Sequence, residues 1–118
     1  DEFWRQLREH QLDFFKDTQQ SLWRLSLAPA SESLDLPGEC RLDWGGAQRW
    51  LKTTANAQQI RNLVVKLGGH ATLFRRQHSD ISAIFQPLTP ALAAIHRRVK
   101  HAFDPLGIFN PGRMYADL

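Results

Sequence analysis

The sequence predicts an α+β fold in which an antiparallel sheet carries helices packed on one face, with ferredoxin-like character. Three observations support this prediction. Short stretches of alternating apolar and polar residues predict strands, and a glycine pair between two of them predicts a tight hairpin. Two further stretches combine helical periodicity with capping residues. With 118 residues and 42% hydrophobic content, the chain has room for one core and not two, so we expect a single domain over residues 1–118.

The first forty residues predict a helix, a strand and a loop. From Asp1 to about Lys16, apolar residues recur at helical spacing and predict one buried stripe. Residues 21–27 alternate as a strand does, and Pro29 ends that strand. Turn formers and acidic residues then predict a loop over residues 28–39. The predicted helical stripe consists of Phe3, Trp4, Leu7, Phe14 and Phe15.

Residues 40–44 and 47–52 predict two strands joined by a two-residue turn at Gly45-Gly46. Glycines let a ligand approach the backbone closely, so the tip could face a flat ring. The alternative is a plain turn whose two tryptophans close the edge of the core. The candidate residues around this tip are Trp44, Gly45, Gly46, Arg49 and Trp50.

A second helix is predicted to begin after Asn56 as its cap and to end at Gly68-Gly69. Its apolar face contains Ile60, Leu63, Val64 and Leu67. A strand over residues 70–76 follows directly. His70, at the junction, is a candidate ligand contact or acid–base group, and the alternative is a turn or capping residue.

The stretch Ile81 to Phe85 predicts a further strand or part of a loop. Thr89 and Pro90 then have the types preferred at a helix cap and first helical position. The Asp104-Pro105 step ends this helix. Its predicted buried stripe consists of Leu92, Ile95, Val99 and Phe103, and its outer face holds His96, Arg97, Arg98, Lys100 and His101.

The last fifteen residues, 104–118, predict a rigid tail with two turns. Asp104 to Gly107 suits a type I turn, and Asn110-Pro111-Gly112 suits a type II turn. Pro111 favours an extended conformation for Asn110. Ile108 and Phe109, between the turns, are expected to be buried.

Charge is distributed unevenly along the chain, which has a net charge of +3. Up to Trp44 there are five Lys and Arg against nine Asp and Glu, and beyond it ten against three. The basic part is either a solvated face or a surface that meets an anion. Cys40 is the one cysteine, which fits a reducing cytoplasm. No apolar run reaches the length of a membrane span, and the five histidines lack the spacing of metal ligands.

The segment Phe103-Asp-Pro-Leu-Gly-Ile-Phe-Asn-Pro-Gly-Arg-Met114 resembles the C-terminal signature of the FAD-linked oxidases of the vanillyl-alcohol-oxidase type, a family that includes dehydrogenases of 2-hydroxy acids. Residues 42–51 and 68–75 resemble more narrowly an FAD-binding subunit within that family. The resemblance implies a C-terminal cap domain, with FAD held mainly by an N-terminal domain absent from this chain. Because Met114 is the one methionine, we expect a piece of a longer protein.

The resemblance also implies roles for particular residues. Asn110, Pro111, Gly112 and Arg113 would be cofactor-binding residues of a return tail near the flavin. Trp44, Gly45, Gly46, Arg49, Trp50 and His70 are the candidates to face substrate, and no catalytic residue is assigned. The implied partners are the N-terminal FAD-binding domain of the same subunit and further subunits of an oxidase complex, including an iron–sulfur subunit.

Two alternatives compete with this interpretation. The chain lacks the family's histidine-rich Gly-Asp-Gly-Asn segment, which favours a non-catalytic module that docks onto other subunits of the same complex. A small basic RNA-binding domain is suggested by sheet aromatics that could stack on bases, and it ranks last because no RNP-like aromatic consensus is present. Those aromatics are Trp23, Trp44, Trp50 and Phe74. We expect a cytoplasmic location, with membrane association through partner subunits as the alternative.

Overall fold

The computed structural model describes residues 1–77 and 82–118, which form two compact units, Asp1–Ser82 and Ala83–Leu118. The first unit contains a four-stranded sheet, and the second contains one helix followed by the tail. Of the stretch predicted as a strand or loop, Ile81 lies outside the described residues, and residues 82–85 form neither helix nor strand.

The sheet is antiparallel and has the order β2-β3-β1-β4. Its strands are β1 (Ser21–Ser26), β2 (Glu39–Asp43), β3 (Gln48–Thr53) and β4 (His70–Arg75). This is the strand order of a ferredoxin-like sandwich, with a loop over residues 27–38 where that fold has its first crossover helix. The predicted α+β class is confirmed.

One face of the sheet packs against a helix and forms the main core. Helix α3 (Ala57–Lys66) begins with a capping box, in which the Asn56 side chain accepts the Gln59 N–H at 2.9 Å and the Gln59 side chain accepts the Asn56 N–H. This confirms the predicted cap and helix. Its Ile60 and Val64 are fully buried against strand residues of the same face. Those strand residues are Trp23, Leu25, Leu51, Ala71 and Leu73.

The other face of the sheet carries a second, aromatic cluster, so apolar side chains cover both faces. Phe14 and Phe15 pack there against Leu22 and Trp50. The two phenylalanines belong to the short helix α2 (Asp13–Lys16), which follows α1 (Glu2–Arg8).

The predicted single helix from Asp1 to Lys16 is therefore wrong. The chain leaves helical geometry between α1 and α2, where His10 has a φ of 53°. That backbone turn lets the His10 ring stack on Phe15 at 4.2 Å and meet Trp50 edge-on at 4.9 Å. The contact with Trp50 is tertiary and overrides the local periodicity. Of the predicted buried stripe, Phe3 and Trp4 remain exposed.

The second unit contains helix α4 (Pro90–Phe103), which begins and ends where the sequence predicts. The Thr89 hydroxyl accepts the N–H of Leu92 at 3.4 Å, and Pro90 occupies the first turn. The prediction of a buried stripe is wrong, because none of the residues of α4 is buried. The short unit supplies too few side chains to cover it, and Ile108 and Phe109 in the tail are exposed as well.

Candidate functional site

The tail folds into the predicted pair of turns, but one residue takes a different conformation. The N–H of Gly107 bonds to the carbonyl of Asp104 at 3.1 Å, and that of Arg113 to the carbonyl of Asn110 at 3.3 Å. Gly112 has a φ of 68°, as a type II turn requires at its third position. The expectation that Asn110 is extended is wrong, because its φ is 47°. Asparagine tolerates the left-handed region better than most residues.

A groove of about 610 Å³ lies between α4 and the tail within the second unit. Ile95, Val99 and Phe103 are among its apolar lining residues, and Asn110 and Arg113 are among its polar ones. Apolar walls with a few convergent polar groups are typical of a ligand or cofactor contact. Further lining residues are His96, Lys100, Asp104, Phe109, Met114 and Leu118.

The near arm of the tail is held by Asp104, for which the sequence predicts only a helix end and the start of a turn. Its buried carboxylate accepts the N–H of Ile108 at 3.0 Å and that of Phe109 at 2.9 Å. The same carboxylate accepts a hydrogen bond from the Lys100 ammonium. This bond is the main reason why the pKa of Asp104 falls to about 2, and the two backbone N–H groups act in the same direction. A lysine four residues before an aspartate at a helix end is the sequence signal for this arrangement.

The far arm of the tail returns to α4 and to the segment before it. Arg97 pairs with Asp117 at 2.9 Å, and the N–H of Gly112 bonds to the carbonyl of Leu118 at 2.6 Å. The Tyr115 hydroxyl donates to the carbonyl of Gln86 at 3.2 Å.

The hairpin tip in the first unit is longer than the predicted two-residue turn. Trp44–Gly46 form a tight turn closed by the Ala47 N–H, which donates to the carbonyl of Trp44 at 3.2 Å, and all three residues have positive φ, at 49°, 62° and 94°. The carboxylate of Asp43 stabilises this tip by accepting the N–H of Trp44 at 2.8 Å and the amide of Gln48 at 3.2 Å. The indole of Trp44 is 78% exposed, so the tip presents a flat ring to its surroundings.

The other substrate-facing candidates do not gather around Trp44. Arg49 is buried, and its guanidinium donates to the carbonyls of Ser31 and Glu32, both at 2.6 Å, and of Gly46 at 3.4 Å. Trp50 is buried in the aromatic cluster. His70 is exposed at the start of β4, where it pairs with Ser26 of the central strand. Their substrate-facing role stays a prediction.

A second groove, of about 810 Å³, lies in the first unit and was not predicted. Trp44, Trp4 and Phe3 line it with exposed rings, and Trp50 and His10 lie deeper. The His10 ring also meets Trp50 edge-on at 4.9 Å. Burial, followed by the charge of Arg75, lowers the pKa of His10. The sequence gives no signal for these contacts, because His10 is a lone histidine in a stretch whose periodicity predicts a helix.

Nucleophilic and metal chemistry have little support in the described residues. Burial raises the pKa of the Cys40 thiol, which disfavours a reactive thiolate. Within residues 1–77 and 82–118, no cluster of three or more His, Cys, Asp or Glu could hold a metal ion. In the same ranges, no helix has the length and apolar character needed to cross a membrane.

Comparison with known proteins gives one family and one relative. A family model described as "FAD linked oxidases, C-terminal domain" matches residues 43–114. The chain is 49% identical over 117 residues to the glycolate oxidase subunit GlcE of Escherichia coli strain K12, an alignment that covers 99% of this chain and 32% of that protein. The chain thus spans about a third of the length of this relative. No solved structure matches the chain.

Proposed function

The chain belongs to the family of FAD-linked oxidase C-terminal domains, and we propose that it is the C-terminal cap part of the FAD-binding subunit of a glycolate oxidase. In this proposal the longer protein is an FAD-dependent 2-hydroxy-acid dehydrogenase. The 49% identity to a glycolate oxidase subunit, sustained over almost the whole chain, supports this assignment. The remaining two thirds of that relative have room for a separate FAD-binding domain.

The described residues fit one edge of a flavin and not the whole cofactor. A pyrophosphate is commonly held by free N–H groups at a glycine-rich helix start. Here the start of α3 is closed by its own capping box, and α4 begins with Pro90 and the Thr89 cap. We therefore expect the isolated chain to emerge from gel filtration without flavin absorbance, whereas a yellow stoichiometric complex would contradict the cap assignment.

The observation that carries the proposal is the tail turn at the edge of the α4 groove. When bound, FAD accepts the hydride removed from a 2-hydroxy acid. Asn110 is fixed in a left-handed conformation and offers an amide at a set position, and Arg113 offers a cation to an anionic flavin or carboxylate. Ile95, Val99 and Phe103 offer an apolar surface that excludes water beside these polar groups.

The hairpin tip is the proposed substrate-side surface. Trp44 and Gly45 are exposed and supply an indole and a bare backbone. Gly46 and Arg49 hold the tip in place, and His70 remains a candidate contact from the neighbouring edge of the sheet. Trp50 would act indirectly, as the floor of the aromatic groove.

The docking-module alternative retains one specific observation, the exposed apolar stripe of α4. Further subunits of the complex, an iron–sulfur subunit among them, are proposed partners on the same basis. The RNA-binding alternative loses support, because Trp23 and Trp50 are buried and cannot stack on bases. A cytoplasmic location is likewise a proposal, supported by the free thiol of Cys40.

The decisive experiment removes the amide of Asn110 from the flavin-loaded, full-length protein. Asn110→Ala would add backbone strain, since φ is positive there, so Asn110→Gly is the cleaner change. We expect Asn110→Gly to shift the flavin absorption bands or the reduction potential. Asn62→Ala, an exposed asparagine on α3, is the control and should leave both unchanged.

The measurement also separates the substrates. Turnover should be higher with glycolate than with D-lactate in the unmodified protein. If the Asn110→Gly protein has an unchanged spectrum, reduction potential and glycolate turnover, the tail does not contact the flavin through Asn110. If the unmodified protein is inactive on every 2-hydroxy acid, the docking-module alternative is favoured.

A further inference from the structure

The turn that carries Asn110 and Arg113 is held mainly by polar bonds rather than by burial. Ile108 and Phe109, directly before it, are exposed, and so is Met114 directly after it. Apolar packing within the second unit therefore does not determine where the amide and the guanidinium lie. Each arm of the tail has one ion pair with a cation of α4, Arg97 on the far arm and Lys100 on the near arm, and these two cations are about one helical turn apart.

On the near arm, one carboxylate and one ammonium bind each other and three backbone groups. The Asp104 carboxylate accepts the N–H groups of Ile108 and Phe109, at 3.0 and 2.9 Å, and a bond from Lys100. The Lys100 ammonium in turn donates to the carbonyl of Phe109 at 2.6 Å. Both backbone polar groups of Phe109, the residue immediately before Asn110, are thus bound by this pair.

The chemistry of this arrangement requires an ionised carboxylate. All three groups that point at Asp104 are donors, and an asparagine there would replace one acceptor oxygen by a donor amide. Pro105 has no N–H and a restricted φ, so the chain returns to the carboxylate only through later residues. Charge-assisted bonds of this kind are about twice as strong as neutral ones.

We propose that Asp104 and Lys100 are positioning residues of the oxidase, which set the location of the Asn110 amide and the Arg113 guanidinium at the flavin. The inference rests on the proposed function, because it takes the tail to lie beside the cofactor. Neither residue touches the reacting atoms in this proposal; both act through the backbone of Phe109. Arg97 and Asp117 form an exposed ion pair on the opposite arm.

The test uses the flavin-loaded, full-length protein with Asp104→Asn and two readouts. The first is hydrogen exchange of the Ile108 and Phe109 amides, which we expect to become about tenfold faster or more once the charged acceptor is lost. The second is the flavin reduction potential, which should shift in the same direction as in Asn110→Gly. Asp35→Asn removes the same charge from an exposed loop position and should change neither readout.

A second variant guards against failure of Asp104→Asn to fold. Lys100→Gln alters a side chain that is 27% exposed on the helix, and we expect it to shift the potential in the same direction, with Lys100→Arg restoring the unmodified value. Lys66→Gln, at the exposed end of α3, is its control.

The outcomes distinguish this inference from the proposed function. If Asn110→Gly shifts the potential while Asp104→Asn and Lys100→Gln only accelerate exchange, the pair is merely structural and the positioning role is overturned, although the tail still meets the flavin. If Asn110→Gly leaves the potential unchanged, the tail does not meet the flavin, and both the assignment of Asn110 and the positioning role fail.

Discussion

The guanidinium of Arg49 joins the hairpin tip to the loop between β1 and β2. It has five donors and meets three backbone carbonyls, those of Ser31, Glu32 and Gly46. Lysine would keep the charge but has one ammonium, which cannot reach all three oxygens. We expect Arg49→Lys to lower the free energy of unfolding by about 1–3 kcal/mol, the cost of unsatisfied buried acceptors. Thermal unfolding would measure this loss.

Arg41→Lys on the neighbouring strand is the matched control for Arg49→Lys. Arg41 is exposed and pairs with Glu39, so its replacement should leave the melting temperature nearly unchanged. Equal melting temperatures for the two variants would contradict the structural role of Arg49 and return it to the substrate-facing candidates.

His10 makes the stability of the first unit sensitive to pH. Burial, and then the charge of Arg75, lowers its pKa in the folded state below the ordinary value of 6.5. The unfolded chain therefore binds more protons in this range, and stability is lost as the pH falls from 6.5 through the lower folded pKa. We expect the melting temperature to fall from about pH 7.5 to about pH 5.5, and to fall less in His10→Asn.

Asparagine is the suitable replacement because it accepts the positive φ of His10 without titrating. Any loss of stacking on Phe15 should lower the melting temperature of His10→Asn equally at both pH values. If the two proteins lose the same number of degrees on acidification, another group causes the pH dependence.

At the scale of elements, Gly45 and Gly46 differ although both have positive φ. A Cβ on Gly45 would meet no atom within 4 Å, whereas one on Gly46 would lie 2.9 Å from the carbonyl oxygen of Pro29. Gly46→Ala should cost more than the roughly 1–2 kcal/mol of left-handed strain, a loss of several degrees in melting temperature. Gly45→Ala should lower the free energy of unfolding by that strain alone, and Gly45→Asn should lower it still less. A larger loss from Gly45→Ala than from Gly46→Ala would contradict the contact with the loop.

Local chemistry allowed several elements to be predicted from the sequence. The Asn56 and Thr89 caps lie within three residues of the N–H groups they accept. The starts of α3 and α4 were therefore predicted correctly. The strands β1 and β4 were predicted in the same way, from the alternation of side chains within each strand. The turn at Asp104 to Gly107 was predictable for the same reason, since proline and glycine restrict the backbone wherever they occur.

Features that depend on distant residues could not be predicted. The break between α1 and α2 accompanies the packing of the His10 ring, which stacks on Phe15 and meets edge-on the ring of Trp50, forty residues along the chain. The left-handed conformation of Asn110 goes against the preference that Pro111 imposes. The burial of Arg49, a candidate to face substrate, was not predicted, because nothing in its own stretch reveals the carbonyls of Ser31 and Glu32.

At the scale of the whole molecule, the stripe of α4 has the periodicity of a buried face and yet is exposed. Ile95 and Val99 are each 52% exposed, and Phe103 is 85% exposed. The chain spans about a third of its relative, and under the proposed function the residues that cover such a stripe lie in the remainder of a longer protein. The proposed function identifies that remainder with the FAD-binding domain.

This yields a prediction for the full-length protein, tested by Val99→Asp. If the stripe is covered there, the change should cost at least the value of burying a valine, about 1.5 kcal/mol or more, and should weaken flavin retention. Val65→Asp is the matched control, because Val65 is 58% exposed on α3, opposite its buried face. Differential scanning calorimetry and flavin absorbance after gel filtration would measure both. Equal behaviour of the two variants would mean that the stripe stays in solvent, and the contact between α4 and the FAD-binding domain would have to be abandoned.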